Sequence, residues 1–421
     1  MAKPGGSVCN LDCRYCFYLE KEALYPERQQ NWRMSDETLE LYIRQHIEAQ
    51  PGHLVLFAWQ GGEPTMMGIP FFRRVIELCY KYGEGRQIQH TLQTNGMLIN
   101  PEWASFLAQH KFLVGISVDG PEPIHDIYRV NRAGGGTHCR VMQALTLLQS
   151  HGVDFNTLTV VGRHNADHAL EVYDFLLAAG SRYIQFIPLV ERLGSQSNTV
   201  LKLALPEESD ASLTAWTVPS WQYGEFLRQI FAIWVRRDVG RVSVQMFDVA
   251  MAAWNQQAPV LCVHSETCGH ALALESNGDL YNCDHFVYPQ HLLGNIHQQS
   301  IRELNASEQA IHFGEAKRDT LTPDCRQCHY RFVCQGGCPK HRFAISPCGY
   351  PGHNYLCAGY KHFFTQITRE MNVMRDLLSA GYRAEDIMSV LAQENRVLRH
   401  IDRNDSCPCG SRKKFRKCCG R

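Results

Sequence analysis

The sequence lacks the features that would assign it to a membrane or to a nucleic acid. It has no apolar signal segment at its start and no hydrophobic run of the length that spans a bilayer. It has no excess charge of either sign, because 42 Lys and Arg balance 42 Asp and Glu. Internal repeats and low-complexity linkers are absent as well. We therefore expect a cytoplasmic protein with two or more domains in its 421 residues and with neither nucleic acid nor membrane as partner.

Cysteine, by contrast, is in excess, with 18 in the chain. Thiols of a cytoplasmic protein stay reduced, which favours metal ligation over disulfides. Cys9, Cys13 and Cys16 have the spacing CxxxCxxC. Three thiolates this close can hold a four-iron, four-sulfur cluster by three irons and leave the fourth iron open to a small molecule. The alternatives are a zinc knuckle or part of a disulfide framework, but zinc sites usually pair two-residue spacings and need a fourth ligand.

Residues 36 to 235 alternate between helical and strand-like patterns, which predicts βα units around a parallel sheet. The expected strands are 54–59, 88–93, 112–118, 156–161 and 183–188, and the expected helices are 36–49, 71–81, 101–110, 139–150, 169–179 and 222–236. This pattern indicates an α/β barrel or part of one. Cys79 and Cys139 fall in these helices, where we expect both to be buried as small apolar side chains.

The rest of the chain predicts smaller units. We place the barrel in residues 1–238, a small cysteine-rich domain held by metals in 239–358, and further helices in 359–402. Residues 403–421 form a short basic tail with four more cysteines.

Gly61, Gly62, Glu63 and Pro64 directly follow the strand that ends at Trp59, and barrel enzymes place their sites at such strand ends. Together with the cysteine triad, this turn resembles the radical S-adenosylmethionine (SAM) enzymes. The resemblance implies a partial (β/α)6 TIM-like barrel in which the amino and carboxylate groups of SAM chelate the open iron. Glycine lets the backbone of the turn approach SAM closely, and Glu63 is an acceptor for its amino group.

Polar residues also end the next two expected strands, at 93–96 and 117–120. By resemblance, Ser117 and Arg129 are the expected SAM contacts. A solvated loop or helix start is the competing interpretation for His125, Asp126 and Arg129.

Two more residues lie where the resemblance implies substrate-facing groups. Tyr18 follows the cysteine loop, and Gln60 precedes the glycines. A buried aromatic and an ordinary strand-end amide are the alternatives for these two positions.

Nine further cysteines lie between 262 and 357, and eight of them could ligate two more four-iron clusters. Their spacing resembles the SPASM domain, and over residues 1 to about 370 the chain resembles the anaerobic sulfatase-maturating enzymes. In that family the ligand sets interleave. The resemblance implies one cluster on Cys262, Cys268, Cys283 and Cys338, and a second on Cys325, Cys328, Cys334 and Cys357. Cys348 is the rival of Cys357 for the last position, and two structural zinc sites are the alternative for the CxxC part.

Asp284 directly follows Cys283. A carboxylate beside a cluster ligand could lie between the barrel and the cluster domain and accept a proton from a substrate hydroxyl or thiol. A surface turn residue is the alternative, and the resemblance favours the catalytic base.

Cys407, Cys409, Cys418 and Cys419 in the tail are enough for one tetrahedral zinc. This stretch resembles the SEC-C motif. Five basic residues surround it, Arg412, Lys413, Lys414, Arg416 and Lys417. They suggest a surface for protein docking, although a solvated and idle knob is the alternative.

The resemblance implies radical SAM oxidation of a peptidyl Cys or Ser to Cα-formylglycine in sulfatases, with three [4Fe-4S] clusters, SAM and Zn2+. The implied partners are a sulfatase polypeptide and an electron donor such as flavodoxin or ferredoxin. The alternatives are a SPASM-type enzyme that forms thioether or carbon–carbon crosslinks, and a non-enzymatic iron–sulfur protein.

Relatives carry a strand before the cysteine loop, whereas this chain starts at Met1-Ala2-Lys3-Pro4. We therefore expect a missing or shortened first strand, for which a true start upstream is one explanation. If the chain is complete as given, we expect an unprotected sheet edge near the first cluster.

Overall fold

The computed structural model describes residues 1–25, 31–194, 201–269, 271–399, 404–405, 411 and 413–417. In this part of the chain the strands are β1 (Ala2–Lys3), β2 (Leu54–Trp59), β3 (Gln87–Thr94), β4 (Leu113–Ser117), β5 (Phe155–Val161), β6 (Tyr183–Pro188), β7 (Arg192–Leu193), β8 (Ser212–Leu213), β9 (Ser243–Val244), β10 (Ala273–Glu275), β11 (Asp279–Tyr281) and β12 (Leu292–Asn295).

The helices of the barrel half are α1 (Asp36–Ala49), α2 (Ile69–Tyr82), α3 (Pro101–Gln109), α4 (Glu122–His125), α5 (His138–Ser150), α6 (Ala169–Ala178), α7 (Ser220–Arg237) and α8 (Gln245–Trp254). They are followed by α9 (Ile301–Asn305), α10 (Glu308–Asp319), α11 (Pro323–Arg326), α12 (Arg331–Cys334), α13 (Cys357–Ser379) and α14 (Ile387–Arg399). Among the described helices, none is both long and apolar enough to cross a membrane.

The barrel half is a parallel sheet in the order β1-β2-β3-β4-β5-β6-β9, with helices between the strands. The α/β prediction is confirmed, and the five expected strands and six expected helices are all present within two residues of their expected bounds. The parallel register means that Trp59, Thr94 and Ser117 end their strands at the same edge of the sheet. The polar turns after these strands therefore meet at one mouth.

The helices bury one face each against this sheet. In α2, Phe72, Val75, Leu78 and Cys79 recur at helical spacing and are buried. The expectation for Cys79 is confirmed. The expectation for Cys139 is wrong, because Cys139 is exposed on α5, whose buried face starts at Val141.

The first strand is short, as expected, but its edge is not unprotected. Ala2 pairs with Trp59 of β2 on one side and with Leu274 of β10 on the other, both in parallel. Strand β10 comes from the cysteine-rich part of the chain, and the antiparallel strands β11 and β12 extend the sheet beyond it. One ten-stranded sheet therefore joins the cysteine-rich part to the barrel half, which is why the expectation of a bare edge is wrong.

The segment after the cysteine-rich part is helical, as expected, and α13 packs against α7 of the barrel half. Two glycines allow this close crossing. A Cβ on Gly224 would stand 2.7 Å from the Cα of Gly359, nearer than side-chain carbons approach in packed interiors. The amide of Gly359 also donates to Ser220 Oγ at 2.9 Å. The crossing fixes Cys357, the first residue of α13, against the barrel half. The domain boundaries at 238, 358 and 402 stay predictions.

Candidate functional site

The glycine turn after β2 holds the cysteine loop by its backbone. The amide of Gly62 donates to the carbonyl of Gly6 at 2.8 Å, and the amide of Glu63 donates to the carbonyl of Val8 at 2.9 Å. A Cβ on Gly62 would stand 2.5 Å from the carbonyl oxygen of Ser7, so only glycine allows this approach. The GGE turn therefore supports the loop that carries Cys9.

The segment after β4 holds the other side of the same loop. The amides of Asp12 and Arg14 donate to the carbonyls of Val130 and Tyr128, each at 3.0 Å. The guanidinium of Arg132 donates to the carbonyl of Cys9 at 2.6 Å. The cysteine loop is thus held between two strand ends at the mouth of the barrel.

The three thiols of this loop suit a cationic ligand. All 14 cysteines in the described part of the chain are free. Burial raises the pKa of Cys9 to about 11 and the pKa of Cys13 to about 12, and it also raises the pKa of Cys16. Each of these three thiolates would also repel another of the triad. Such thiols become stable thiolates when iron neutralises them, so this donor set fits an iron–sulfur cluster.

Glu63 uses both carboxylate oxygens within the protein. One accepts from the amide of Thr65 at 3.0 Å and from Thr94 Oγ1 at 2.8 Å, and the other accepts from the amide of Asn95 at 2.7 Å. The side chain is buried, and burial raises the pKa of this carboxyl. Glu63 therefore links the ends of β2 and β3, and its contact with SAM stays a prediction.

Arg129 is fixed by a buried ion pair. Its Nε and Nη2 donate to the two oxygens of Asp119 at 2.8 and 3.2 Å, and the hydroxyl of Tyr15 donates to the same carboxylate at 2.6 Å. Burial alone would raise the pKa of Asp119, but the Arg129 charge, the neighbouring His125 and the hydrogen bond from Arg129 together lower it. Sequence reasoning named neither Asp119 nor Tyr15 individually. The only available signals were the polar end of β4 and the place of Tyr15 between Cys13 and Cys16.

The neighbouring candidates have structural roles here. His125 is fully buried, and its Nδ1 accepts from the amide of Asp119 at 3.2 Å. Burial lowers the pKa of His125 to about 4. Asp126 accepts from the amides of Thr137 and His138 at 2.8 and 3.0 Å, where α5 begins. The solvated-loop interpretation is therefore wrong for His125, whereas Asp126 does serve a helix start. Ser117 is buried at the end of β4.

The downstream cysteines fall into two groups, and within each group the thiolates interact electrostatically. Burial is the first cause that raises the pKa values of Cys268, Cys283, Cys338, Cys334 and Cys357, and neighbouring thiolates raise them as well. Cys262 is among the charges that act on Cys268, Cys283 and Cys338. Cys325 and Cys328 act on both Cys334 and Cys357.

Cys348 is exposed, unlike the cysteines of the second group. A hydrogen bond with Asp324, the residue before Cys325, is the first cause that raises the pKa of Cys348. The donor chemistry of the two groups fits two further iron–sulfur clusters, and the assignment of individual ligands stays a prediction.

Asp284 lies where the barrel half meets the cysteine-rich part. Its carboxylate pairs with the ammonium of Lys3 on β1, and its main-chain carbonyl accepts from Lys21 Nζ at 3.2 Å. Burial by itself would raise the pKa of Asp284, but the nearby positive charges, with Lys3 foremost, hold it well below its usual range. Burial, followed by the charge of Lys3, lowers the pKa of Lys21 to about 7. Asp284 is therefore part of a largely buried cluster of charged groups, together with Lys3 and Lys21.

The two expected substrate-facing residues lie near this site. Tyr18 is buried, its hydroxyl donates to Glu275 on β10, and its ring lies 3.5 Å from the Lys3 ammonium. Gln60 is half-buried at the end of β2, and its amide donates to the carbonyl of Ala2 at 3.0 Å. Both flank β1, on which Lys3 lies.

The tail is only partly described. Cys407, Cys409, Cys418 and Cys419 lie outside the described residues, as does Arg412. The four basic residues of the tail that the structure describes are exposed, namely Lys413, Lys414, Arg416 and Lys417.

A parallel barrel sheet with three free thiols held at the carboxyl ends of its strands defines the class of radical SAM enzymes. Family models agree with this assignment. The radical SAM superfamily matches residues 4–176, an iron–sulfur cluster-binding domain called SPASM matches 262–329, and the SEC-C motif matches 403–421. Iron–sulfur clusters and SAM are therefore the cofactors of this chain.

Comparison with known proteins identifies the group of radical SAM enzymes that this chain resembles. The chain is 42% identical over 391 residues to a serine-type anaerobic sulfatase-maturating enzyme of Bacteroides thetaiotaomicron, covering 93% of this chain and 94% of that protein. It is 32% identical to a cysteine-type enzyme of Clostridium perfringens, covering 86% and 94%. The solved structure of native anSMEcpe with bound AdoMet and the Cp18Cys peptide superposes with a TM-score of 0.78 at 30% identity, over 90% of this chain and 98% of that one.

The chain belongs to the anaerobic sulfatase-maturating enzymes. It is a radical SAM oxidoreductase, which excludes the non-enzymatic alternative and favours maturation over peptide crosslinking.

Proposed function

We propose that this enzyme oxidises a peptidyl Ser or Cys of a sulfatase to Cα-formylglycine. The observation that carries the proposal is the place of Asp284, whose partly open carboxylate lies at the junction of the barrel half and the cysteine-rich part. The Bacteroides relative at 42% identity is serine-type, and the Clostridium relative at 32% is cysteine-type. We therefore infer that serine is accepted, with cysteine as the easier test substrate because its thiol is the stronger acid.

The residues at the mouth of the barrel have distinct proposed roles. Cys9, Cys13 and Cys16 would hold the first cluster, and Gly61, Gly62 and Glu63 would fix the loop and face SAM. When bound at the reduced cluster, SAM supplies a 5′-deoxyadenosyl radical that removes a hydrogen atom from the β-carbon of the substrate. Ser117 and Arg129 would orient SAM, and the ion pair with Asp119 keeps the guanidinium of Arg129 in one position.

Asp284 would complete the oxidation as the base. The aldehyde, or a thioaldehyde that hydrolyses to it, forms when the substrate hydroxyl or thiol loses its proton and one further electron leaves. The carboxylate of Asp284 would accept the proton, and an auxiliary cluster, when bound, would supply the acceptor for the electron. Tyr18 and Gln60, on either side of β1, would face the peptide.

The cysteines of the second half would hold two more [4Fe-4S] clusters, which makes three in the enzyme. We propose Cys262, Cys268, Cys283 and Cys338 for one cluster, and Cys325, Cys328, Cys334 and Cys357 for the other. The mutual electrostatic effects within each group support this division. The match to the SEC-C motif supports Zn2+ on the four cysteines of the tail.

The remaining partners follow from this chemistry. Reduction of the first cluster needs a one-electron donor such as flavodoxin or ferredoxin, and we propose that the basic tail docks a protein partner. Free thiols and oxygen-sensitive clusters suit the reducing cytoplasm.

The decisive experiment is anaerobic reconstitution, then reduction with SAM and sulfatase peptides that contain Ser or Cys. We expect 5′-deoxyadenosine together with a peptide mass that matches formylglycine. A crosslink mass, or deoxyadenosine without any change of the peptide, would contradict the proposal.

Asp284→Asn tests the base. The variant should keep SAM cleavage and lose formylglycine by about 10²-fold or more, because general base catalysis has that magnitude. Undiminished formylglycine by mass spectrometry would remove Asp284 from this role.

A further inference from the structure

Lys3 is the residue that holds the side chain of Asp284. The two residues are 281 positions apart, and the fold joins their charged groups directly. The side chain of Lys3 is 2% exposed, whereas that of Asp284 is 24% exposed. The ammonium therefore lies beneath the carboxylate, and the carboxylate keeps an open side.

Lys3 itself has little freedom to move. It lies on β1, which pairs with β2 on one side and with β10 on the other, and its own pairing partner is Glu275. Its ammonium also lies 3.5 Å from the centre of the Tyr18 ring, at the distance of a cation–π contact. A group packed in this way is a fixed point that can hold the more exposed carboxylate of Asp284 in place.

A second ammonium fixes the main chain at the same place. Lys21 Nζ donates to the carbonyls of Asp284 and His285 at 3.2 and 3.4 Å. Lys21 therefore restrains the backbone of Asp284, while Lys3 restrains its carboxylate. Because Lys21 donates its hydrogen bonds here to the main chain, the contact with Lys3 orients the carboxylate oxygens of Asp284.

We propose that Lys3 is a positioning residue for the aldehyde-forming step, in which its ammonium holds one oxygen of Asp284 and leaves the other for the substrate proton. The inference rests on the proposed role of Asp284 as the base. Lys3 acts through Asp284 and takes no part in SAM cleavage, so its loss should uncouple product formation from deoxyadenosine formation.

The test compares Lys3→Gln, Lys3→Arg and Asp284→Asn in the reconstituted full chain, with Lys81→Gln as control. Lys81 also forms an ion pair, with Glu40 at 2.7 Å, but on the exposed surface of the barrel half. Iron content and the absorption spectrum first establish that each variant holds its clusters. The ratio of formylglycine to deoxyadenosine and the peptide KM are then measured.

For Lys3→Gln we expect the ratio to fall roughly tenfold or more, since misplacing a catalytic group by about 1 Å has that effect. Deoxyadenosine formation and the peptide KM should stay within about twofold of the parent. Lys3→Arg keeps the charge and should retain more of the ratio than Lys3→Gln. The double variant Lys3→Gln/Asp284→Asn should match Asp284→Asn alone, because both changes affect one step.

Each contrary outcome has a distinct meaning. A normal ratio in Lys3→Gln, beside a lost ratio in Asp284→Asn, overturns the role of Lys3 and leaves the proposed base intact. A normal ratio in Asp284→Asn overturns the base and the inference with it. If Lys3→Gln does not hold its clusters, the ratio of formylglycine to deoxyadenosine in Lys3→Arg tests the inference instead. Its wider guanidinium must displace Asp284, so a ratio equal to that of the parent would overturn the inference.

Discussion

Gly62 gives the sharpest test of how the first cluster is held, because a single methyl group there should open the cysteine loop. The Cβ of an alanine would stand 2.5 Å from the Ser7 carbonyl oxygen and 2.5 Å from the Val8 carbonyl carbon. Both are backbone atoms, so no side-chain rotation can relieve the contact. Relief requires the loop to move away from the turn. That movement breaks the two hydrogen bonds that Gly62 and Glu63 donate to the loop.

The expected cost follows from these contacts. Overpacking of this kind costs about 1–3 kcal/mol, and each lost hydrogen bond costs about 0.5–1.5 kcal/mol. The loop should therefore lose about 2–6 kcal/mol relative to its open state. The cost is confined to the loop, because the auxiliary cysteines lie on other segments.

The assay is iron analysis of anaerobically reconstituted Gly62→Ala, together with deoxyadenosine formation. Iron should fall from about 12 to about 8 atoms per chain, since only one of the three proposed four-iron clusters is lost. SAM cleavage should disappear with it. Gly52→Ala is the matched control, because a Cβ at Gly52 meets nothing within 4 Å. Full iron with normal SAM cleavage in Gly62→Ala would refute the reasoning, and loss of all iron would refute its local character.

Two further predictions concern the cysteines and the buried ion pair. Cys357→Ser should lose about 4 iron atoms per chain, while Cys348→Ser should lose none, because Cys357 shares electrostatic contacts with Cys325 and Cys328, whereas Cys348 is exposed. Equal iron in the two variants would contradict the division of ligands. Arg129→Met leaves the buried Asp119 without its ion partner, so thermal unfolding should reveal a loss of about 3–5 kcal/mol. The exposed control Arg73→Met should change stability by less than about 0.5 kcal/mol, and equal melting temperatures would argue against a structural role for Arg129.

Much of the barrel half is predictable because its signals are local. The strands Leu54–Trp59 and Tyr183–Pro188 and the helix Asp36–Ala49 are found at the expected residues. Helix α1 starts after Ser35, whose side chain accepts from the amide of Thr38 at 3.1 Å, an ordinary N-cap. The exposure of Cys139 shows the limit of this approach. A cysteine in an amphipathic helix is as compatible with one face as with the other until the packing partner is known.

The cysteine spacing and the strand-end glycines determine the class of chemistry from sequence alone, because thiolate ligands and close backbone approach demand those residue types. Only the tertiary structure decides how the two halves meet. Strands β1 and β10 have two and three residues, too few to show any periodicity, and they pair across 272 positions of the chain. That pairing covers the sheet edge and places Lys3 beneath Asp284. Such contacts depend on the packing of distant segments, and no local pattern encodes their distance in space.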